Sequence, residues 1–71
     1  MKLPRDVSGP EVAKALERLG FSNLRQVGSH VRMGRGNVHV TVPMHRTLAV
    51  GTLQSILRQA GVTLDELVSA L

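Results

Sequence analysis

The sequence predicts an α+β fold in which helices cover one face of a three-stranded antiparallel sheet. Apolar and polar residues alternate between Gly28 and Pro43, which is typical of a half-buried β-hairpin. The segments before and after it repeat apolar residues at helical spacing. Capping boxes that begin at Ser8 and Thr63 mark two helix starts. The predicted order is α-β-β-β-α-α in one domain spanning residues 1–71.

The first helix is predicted to begin after Ser8. Ser8 and Glu11 have the S-x-x-E spacing of a capping box, in which each residue bonds the backbone of the other. Val12 and Leu16 begin an apolar stripe that continues to Leu19, and Gly20 is expected to end the helix.

The three strands are predicted at residues 24–27 and on both sides of a glycine turn. Placing that turn at Arg35-Gly36, or in a four-residue loop over 34–37, makes Arg32 face His39 and His30 face Thr41. Directly opposed side chains lie about 4.5 to 5.5 Å apart at Cβ, so these four residues are expected to form one polar cluster.

The C-terminal third is predicted to hold two helices that complete the core. Pro43 ends the last strand because it cannot donate to a sheet ladder. The second helix is expected over Gly51–Ala60, and the third follows the capping box at Thr63. Phe21, the sole aromatic residue, is expected to anchor the core. The opposite sheet face is left open.

Charge is concentrated in the middle of the chain. The net charge is +4, and residues 21–50 carry +4, against +1 for residues 1–20 and −1 for residues 51–71. A focused basic region suits an anionic partner, nucleic acid first, although arginines also keep a surface soluble. The absence of Trp and Tyr argues against base stacking as the main binding mode.

The composition also excludes several classes of site. Without cysteine there are no disulfides and no Cys-based zinc site. Three histidines are the only neutral nitrogen ligands, and the acids lie in the helices, so no metal or cofactor is expected. Ser29 directly precedes His30 and would point to the opposite face, which argues against a Ser-His-Asp triad. No apolar segment is long enough for a membrane span, and no signal-peptide core is present, so the protein is expected in the cytoplasm.

A histidine among arginines suits RNA cleavage, because RNA supplies its own nucleophile, the 2′-OH. An enzyme then needs a base for that hydroxyl and cationic donors for the developing phosphorane charge. His30 as the base, with Arg32 and His39 beside it, would meet that minimum. Gly28 either aims His30 or begins the strand. Residue pattern alone leaves open that His30 is a surface residue without a role.

An ordered set of motifs carries a family resemblance. From about residue 7 to residue 67, the chain resembles the HicA family of mRNA interferase toxins. The motifs are Leu19-Gly20-Phe21, Arg25, Gly28-Ser29-His30, Thr41-Val42-Pro43-Met44-His45, Gly51-Thr52-Leu53 and Ile56-Leu57-Arg58-Gln59-Ala60-Gly61.

The resemblance implies a double-stranded-RNA-binding-domain-like fold, ribosome-independent mRNA cleavage and neutralisation by a HicB-type antitoxin. The family's functional histidine maps onto His30, and the histidine after the V-P turn maps onto His45. Single-stranded or structured mRNA is the expected substrate, and the free protein is expected as a monomer or dimer. His30 is the predicted catalytic residue; the predicted RNA-binding residues are Arg25, Arg32, Arg35, His39, His45 and Arg46.

Two other functions stay open from sequence. One is a non-catalytic RNA-binding module that reads double-stranded RNA by shape and phosphate contacts. The other is an interaction domain whose open sheet face or edge docks a protein. The general acid and the cleavage specificity are not indicated.

Overall fold

The computed structural model describes residues 6–71 as three helices and one antiparallel sheet. The strand order is β1-β2-β3, so neighbours in sequence are neighbours in the sheet. This confirms the α+β class and the α-β-β-β-α-α order. The elements are α1 (Gly9–Arg18), β1 (Ser22–Val27), β2 (His30–Arg35), β3 (Val38–Pro43), α2 (Val50–Ala60) and α3 (Leu64–Ala70).

Two capping boxes start α1 and α3 as the sequence predicts. The Ser8 hydroxyl accepts the Glu11 N–H at 3.2 Å, and the Glu11 carboxylate accepts the Ser8 N–H at 3.1 Å. Thr63 and Glu66 repeat the arrangement. These hydrogen bonds lower the pKa of each glutamate below its usual value. The hydrogen bond from the backbone N–H of the capping residue has the largest effect.

The hydrophobic core lies between the helices and one face of the sheet. Phe21 is buried at the end of the α1–β1 connection, as predicted. Every second residue of β2 and β3 enters the same core, which fixes the faces of both strands. The largest fully buried side chains are Leu16, Met33, Leu53, Ile56, Leu67, Val12, Val31, Val40 and Val42.

The predicted register of the β2–β3 hairpin is wrong by two residues. The turn is Gly36-Asn37, so Arg32 pairs with Thr41, and His30 pairs with Pro43. A two-residue shift keeps every valine on the core face, so the alternation cannot distinguish the two registers. Turn chemistry selects the observed register. Gly36 takes a φ of +60°, which suits the first position of a two-residue turn that begins with glycine.

The two sheet edges differ. All six residues of β1 are exposed, and a bulge between Asn23 and Arg25 sets Leu24 out of the ladder. On the opposite edge, the Gln59 side chain of α2 accepts the Thr41 N–H at 3.1 Å. Helix α2 therefore covers part of the β3 edge, while β1 faces solvent.

Candidate functional site

The sheet face turned away from the helices, here called the open face, carries the basic side chains. Val31 and Met33 of β2 enter the core, so the alternating residues on the same strand project to the opposite side. Pairing with β1 and β3 then defines the rest of this surface. Its side chains are those of Leu24, Arg25, Val27, His30, Arg32, His39 and Thr41.

Two arginines lie directly opposite each other at the centre of the open face. Arg25 pairs with Arg32, and the Arg32 guanidinium donates to Thr41 Oγ1 at 3.3 Å. No acidic residue occurs between Glu17 and Asp65 in the sequence. Directly opposed like charges are destabilising, and a bound anion would relieve that repulsion. The pair therefore favours an anionic ligand.

His30 lies at the rim of a depression that the arginine pair also lines. Gly28 and Ser29 form the two-residue turn between β1 and β2, and Val27 pairs with His30 across it. Gly28 takes a φ of +58°, which suits glycine. Gly28 thus belongs to the turn that sets His30 as the first residue of β2. The depression is lined by Arg25, Val27, His30, Arg32 and Thr41.

His45 approaches His30 from the loop between β3 and α2. The two ring centroids are 6.3 Å apart with an interplanar angle of 72°. The Met44 N–H donates to the Ser29 carbonyl at 2.6 Å, which joins the residues that precede the two histidines. The His45 carbonyl accepts the Gly9 N–H at 2.9 Å. The histidine pair is therefore built on two backbone contacts between separate elements.

Gly9 is a structural position beneath the histidine pair that sequence reasoning missed. A Cβ at residue 9 would lie 2.0 Å from the Pro43 carbonyl oxygen and 2.8 Å from Met44 Cα. Only glycine lets the first turn of α1 approach the loop this closely. The one available signal was a glycine inside a capping box, where helix propensity disfavours it.

The other predicted RNA-binding residues are dispersed. His39 pairs with Gly34, four residues further along β2 than His30, or about 13 Å at the usual strand rise. Arg35 lies on the helical side, with its guanidinium 4.6 Å from the Phe21 ring centroid and donating to the Leu19 carbonyl at 2.7 Å. Arg46 is exposed beside His45. The structure thus brings together Arg25, Arg32, Thr41, His30 and His45, and separates His39 and Arg35 from them.

Residues 6–71 contain no group of three or more His, Cys, Asp or Glu side chains that could hold a metal ion. Independence from metals remains a prediction. Within the same residues, no helix has the length and apolar character needed to span a membrane.

A family model described as the HicA toxin of bacterial toxin–antitoxin systems matches residues 9–62 of the 71-residue chain. The chain belongs to the HicA toxin family. No curated protein gave a significant match to the sequence. The family assignment makes the chain a toxin of a toxin–antitoxin system, and the family implies a HicB-type partner. The matched segment runs from Gly9 through α2, so it includes every residue that builds the histidine pair and the arginine pair.

Proposed function

We propose that this HicA toxin is an endoribonuclease that cleaves mRNA in the cytoplasm, with His30 as its catalytic base. The observation that carries the proposal is the juxtaposition of His30 with the opposed Arg25–Arg32 pair around one depression. An imidazole, which can accept or donate a proton, is thereby combined with two permanent positive charges. That combination meets the requirements of phosphodiester cleavage by an internal 2′-OH.

In the proposed reaction, the scissile phosphate binds at the arginine pair. His30 removes the proton of the adjacent 2′-OH, whose oxygen attacks the phosphorus. The bond from phosphorus to the 5′-oxygen breaks, leaving a 2′,3′-cyclic phosphate and a 5′-hydroxyl end. Arg25 and Arg32 stabilise the negative charge that develops on the phosphorane oxygens.

Three other basic residues, His39, Arg46 and Arg35, serve binding rather than chemistry. His39 extends the open face along β3, and Arg46 extends it along the loop. Arg35 contributes only to the long-range positive field, because its guanidinium is engaged with Phe21 and Leu19. Single-stranded or structured mRNA would contact this surface through its phosphates.

A HicB-type antitoxin is the proposed protein partner, and its binding neutralises the toxin. The free toxin is proposed to be a monomer or a dimer. The exposed β1 strand leaves one sheet edge available for pairing.

A non-catalytic RNA-binding module is the alternative function, and the opposed arginines support it as well. It predicts salt-dependent RNA binding without cleavage, since displaced counterions make phosphate contacts sensitive to salt. Under this alternative, His30→Ala leaves binding intact, whereas loss of Arg25 or Arg32 weakens it.

The test is incubation of an end-labelled RNA with the wild type, His30→Ala and Lys14→Ala, each with and without EDTA. Lys14 is an exposed cation of α1 outside the open face and serves as the charge control. We expect cleavage by the wild type and Lys14→Ala, in EDTA as well, and none by His30→Ala. Cleavage by His30→Ala at the wild-type rate would contradict the role of His30. Binding without cleavage by any of the proteins would favour the alternative.

A further inference from the structure

We propose that His45 is a second catalytic residue, the general acid that protonates the departing 5′-oxygen of the RNA. The inference rests on the proposed function and extends it, because a single base at His30 leaves the leaving group unassisted.

The reaction needs two proton-transfer groups on opposite sides of the phosphate. The attacking 2′-oxygen and the departing 5′-oxygen are roughly in line through the phosphorus, so one imidazole cannot reach both in the same step. The His30 and His45 ring centroids are 6.3 Å apart, too far for a direct hydrogen bond between the rings. The rings therefore do not bond each other, and each can bond a different oxygen of one phosphodiester bound beside them.

Backbone hydrogen bonds hold the two histidines in a defined position relative to each other. The hydrogen bond from the Met44 N–H to the Ser29 carbonyl ties the loop to the β1–β2 turn at 2.6 Å. The Gly9 N–H holds the His45 carbonyl from the other side, and the Leu48 N–H donates to the Val7 carbonyl at 2.8 Å. The His45 side chain is exposed and remains free to meet a ligand. Three backbone contacts thus fix a loop residue as firmly as a catalytic group requires.

The surroundings of His45 suit an acid acting on an anionic substrate. Arg46 follows it in the loop, and the arginine pair shares the depression with His30. The first turn of α1, which packs against the loop, carries Glu11, whose carboxylate accepts the Ser8 N–H. The positive groups of Arg46 and the arginine pair attract the anionic phosphate on which the acid would act.

The assigned step conserves protons and electrons. His30 takes the 2′-OH proton as the 2′-oxygen forms its bond to phosphorus. The 5′-oxygen leaves with the electron pair of the broken bond and receives the proton of the His45 imidazolium. His30 is then protonated and His45 neutral, and exchange with water restores both.

The test compares two RNA oligonucleotides of one sequence under single-turnover conditions. One is unmodified, and the other carries sulfur in place of the 5′-bridging oxygen at the scissile bond. A thiolate departs without protonation, so general acid catalysis is needed only for the oxygen substrate. Because general acids contribute typically ~10²–10⁴-fold, His45→Gln is expected to slow the oxygen substrate by at least about 100-fold and the sulfur substrate by less than about tenfold.

Two matched variants complete the experiment. His30→Gln is expected to slow both substrates strongly, because the 2′-OH requires its base in each. Arg46→Gln, next to His45 in the same loop, is expected to slow both by one common factor. Equal losses on both substrates in His45→Gln, or no loss on either, would overturn the role of His45 alone. Failure of the wild type to cleave either RNA would overturn the proposed function and this inference together.

Discussion

The two ends of the open face carry the same residue types but are built differently. At one end, the histidine end, His30 follows a glycine turn and meets His45. At the other, the turn end, His39 lies beside Leu24 above Gly34 and next to the Gly36-Asn37 turn. A Cβ at Gly34 would lie 2.8 Å from Leu24 Cδ1 and 3.1 Å from His39 Cδ2, both side-chain atoms. At the histidine end, the corresponding close contacts are backbone.

On a small domain, a site is held most precisely where separate segments meet. Side chains at the turn end can move aside at little cost, so the packing around the His39 side chain is adjustable. At the histidine end, α1, the β1–β2 turn and the β3–α2 loop are joined through backbone hydrogen bonds. The positions of His30 and His45 are therefore set by contacts between distant segments rather than by the β2–β3 hairpin alone.

The largest expected effect on stability comes from the glycine beneath the histidine end. Gly9→Ala places a Cβ against the Pro43 carbonyl, and neither backbone segment can move without breaking the Gly9–His45 hydrogen bond. We expect a loss of about 3 kcal/mol, at the upper end of the ~1–3 kcal/mol typical of overpacking. Urea unfolding monitored by circular dichroism measures it.

Two other glycines serve as controls for Gly9→Ala. Gly34→Ala meets only side-chain atoms, and we expect a change within about 1 kcal/mol. Gly51→Ala lies in α2 with open space around its Cβ, and we expect a gain of about 0.4–1 kcal/mol. A Gly9→Ala variant as stable as Gly34→Ala would remove the distinction between the two ends.

Alanine variants at the two tight turns are expected to differ in RNA cleavage but not in stability. Gly28 and Gly36 have φ values of +58° and +60°, and a Cβ at either meets nothing within 4 Å. Alanine at either position should cost about 1–2 kcal/mol through the left-handed backbone alone. Only Gly28→Ala is expected to slow RNA cleavage, because only Gly28 lies in the turn that precedes His30. Equal cleavage rates for the two variants would show that turn geometry does not set His30.

The sequence predicts the elements well because local rules determine them. Capping boxes at Ser8 and Thr63 and the alternation over residues 28–43 each depend on neighbours a few residues apart, and the structure confirms all three. The register was wrong because alternation repeats every two residues. The predicted cross-strand partner of His30 was therefore Thr41, whereas the structure pairs His30 with Pro43 and brings the His45 ring to 6.3 Å from the His30 ring. That contact depends on Gly9 and Ser29, which lie far from His45 in sequence.

Arg32→Gln is expected to have a moderate effect on binding. Removing one phosphate contact should lower the salt dependence of RNA affinity by about one unit of slope, since each contact releases about one counterion. Lys14→Gln, with the same charge change on α1, should leave the slope unchanged. Fluorescence anisotropy with a non-cleavable 2′-O-methyl RNA at several salt concentrations measures both. Equal slopes in the two variants would contradict an anion site at the arginine pair.

The smallest expected effect concerns acid stability. The pKa of Glu11 is lowered from 4.5 in the folded protein, chiefly by the Ser8 backbone hydrogen bond. A lowered folded-state pKa gives stability that is present above 4.5 and is lost as the pH falls through the folded value. Glu11→Gln should therefore flatten the fall of Tm as the pH drops below 4.5. An unchanged pH dependence of Tm in this variant would show that the carboxylate does not stabilise the start of α1.

We expect the histidine end, and not the turn end, to perform the chemistry. Single-turnover cleavage of one labelled RNA by His30→Gln and His39→Gln tests it most directly, because both variants remove an exposed imidazole from the same sheet face. We expect His30→Gln to be slower than the wild type by roughly 10²–10⁴-fold, the usual contribution of a general base, and His39→Gln to stay within about tenfold. A loss in His39→Gln as large as that in His30→Gln would show that the turn end takes part in the chemistry.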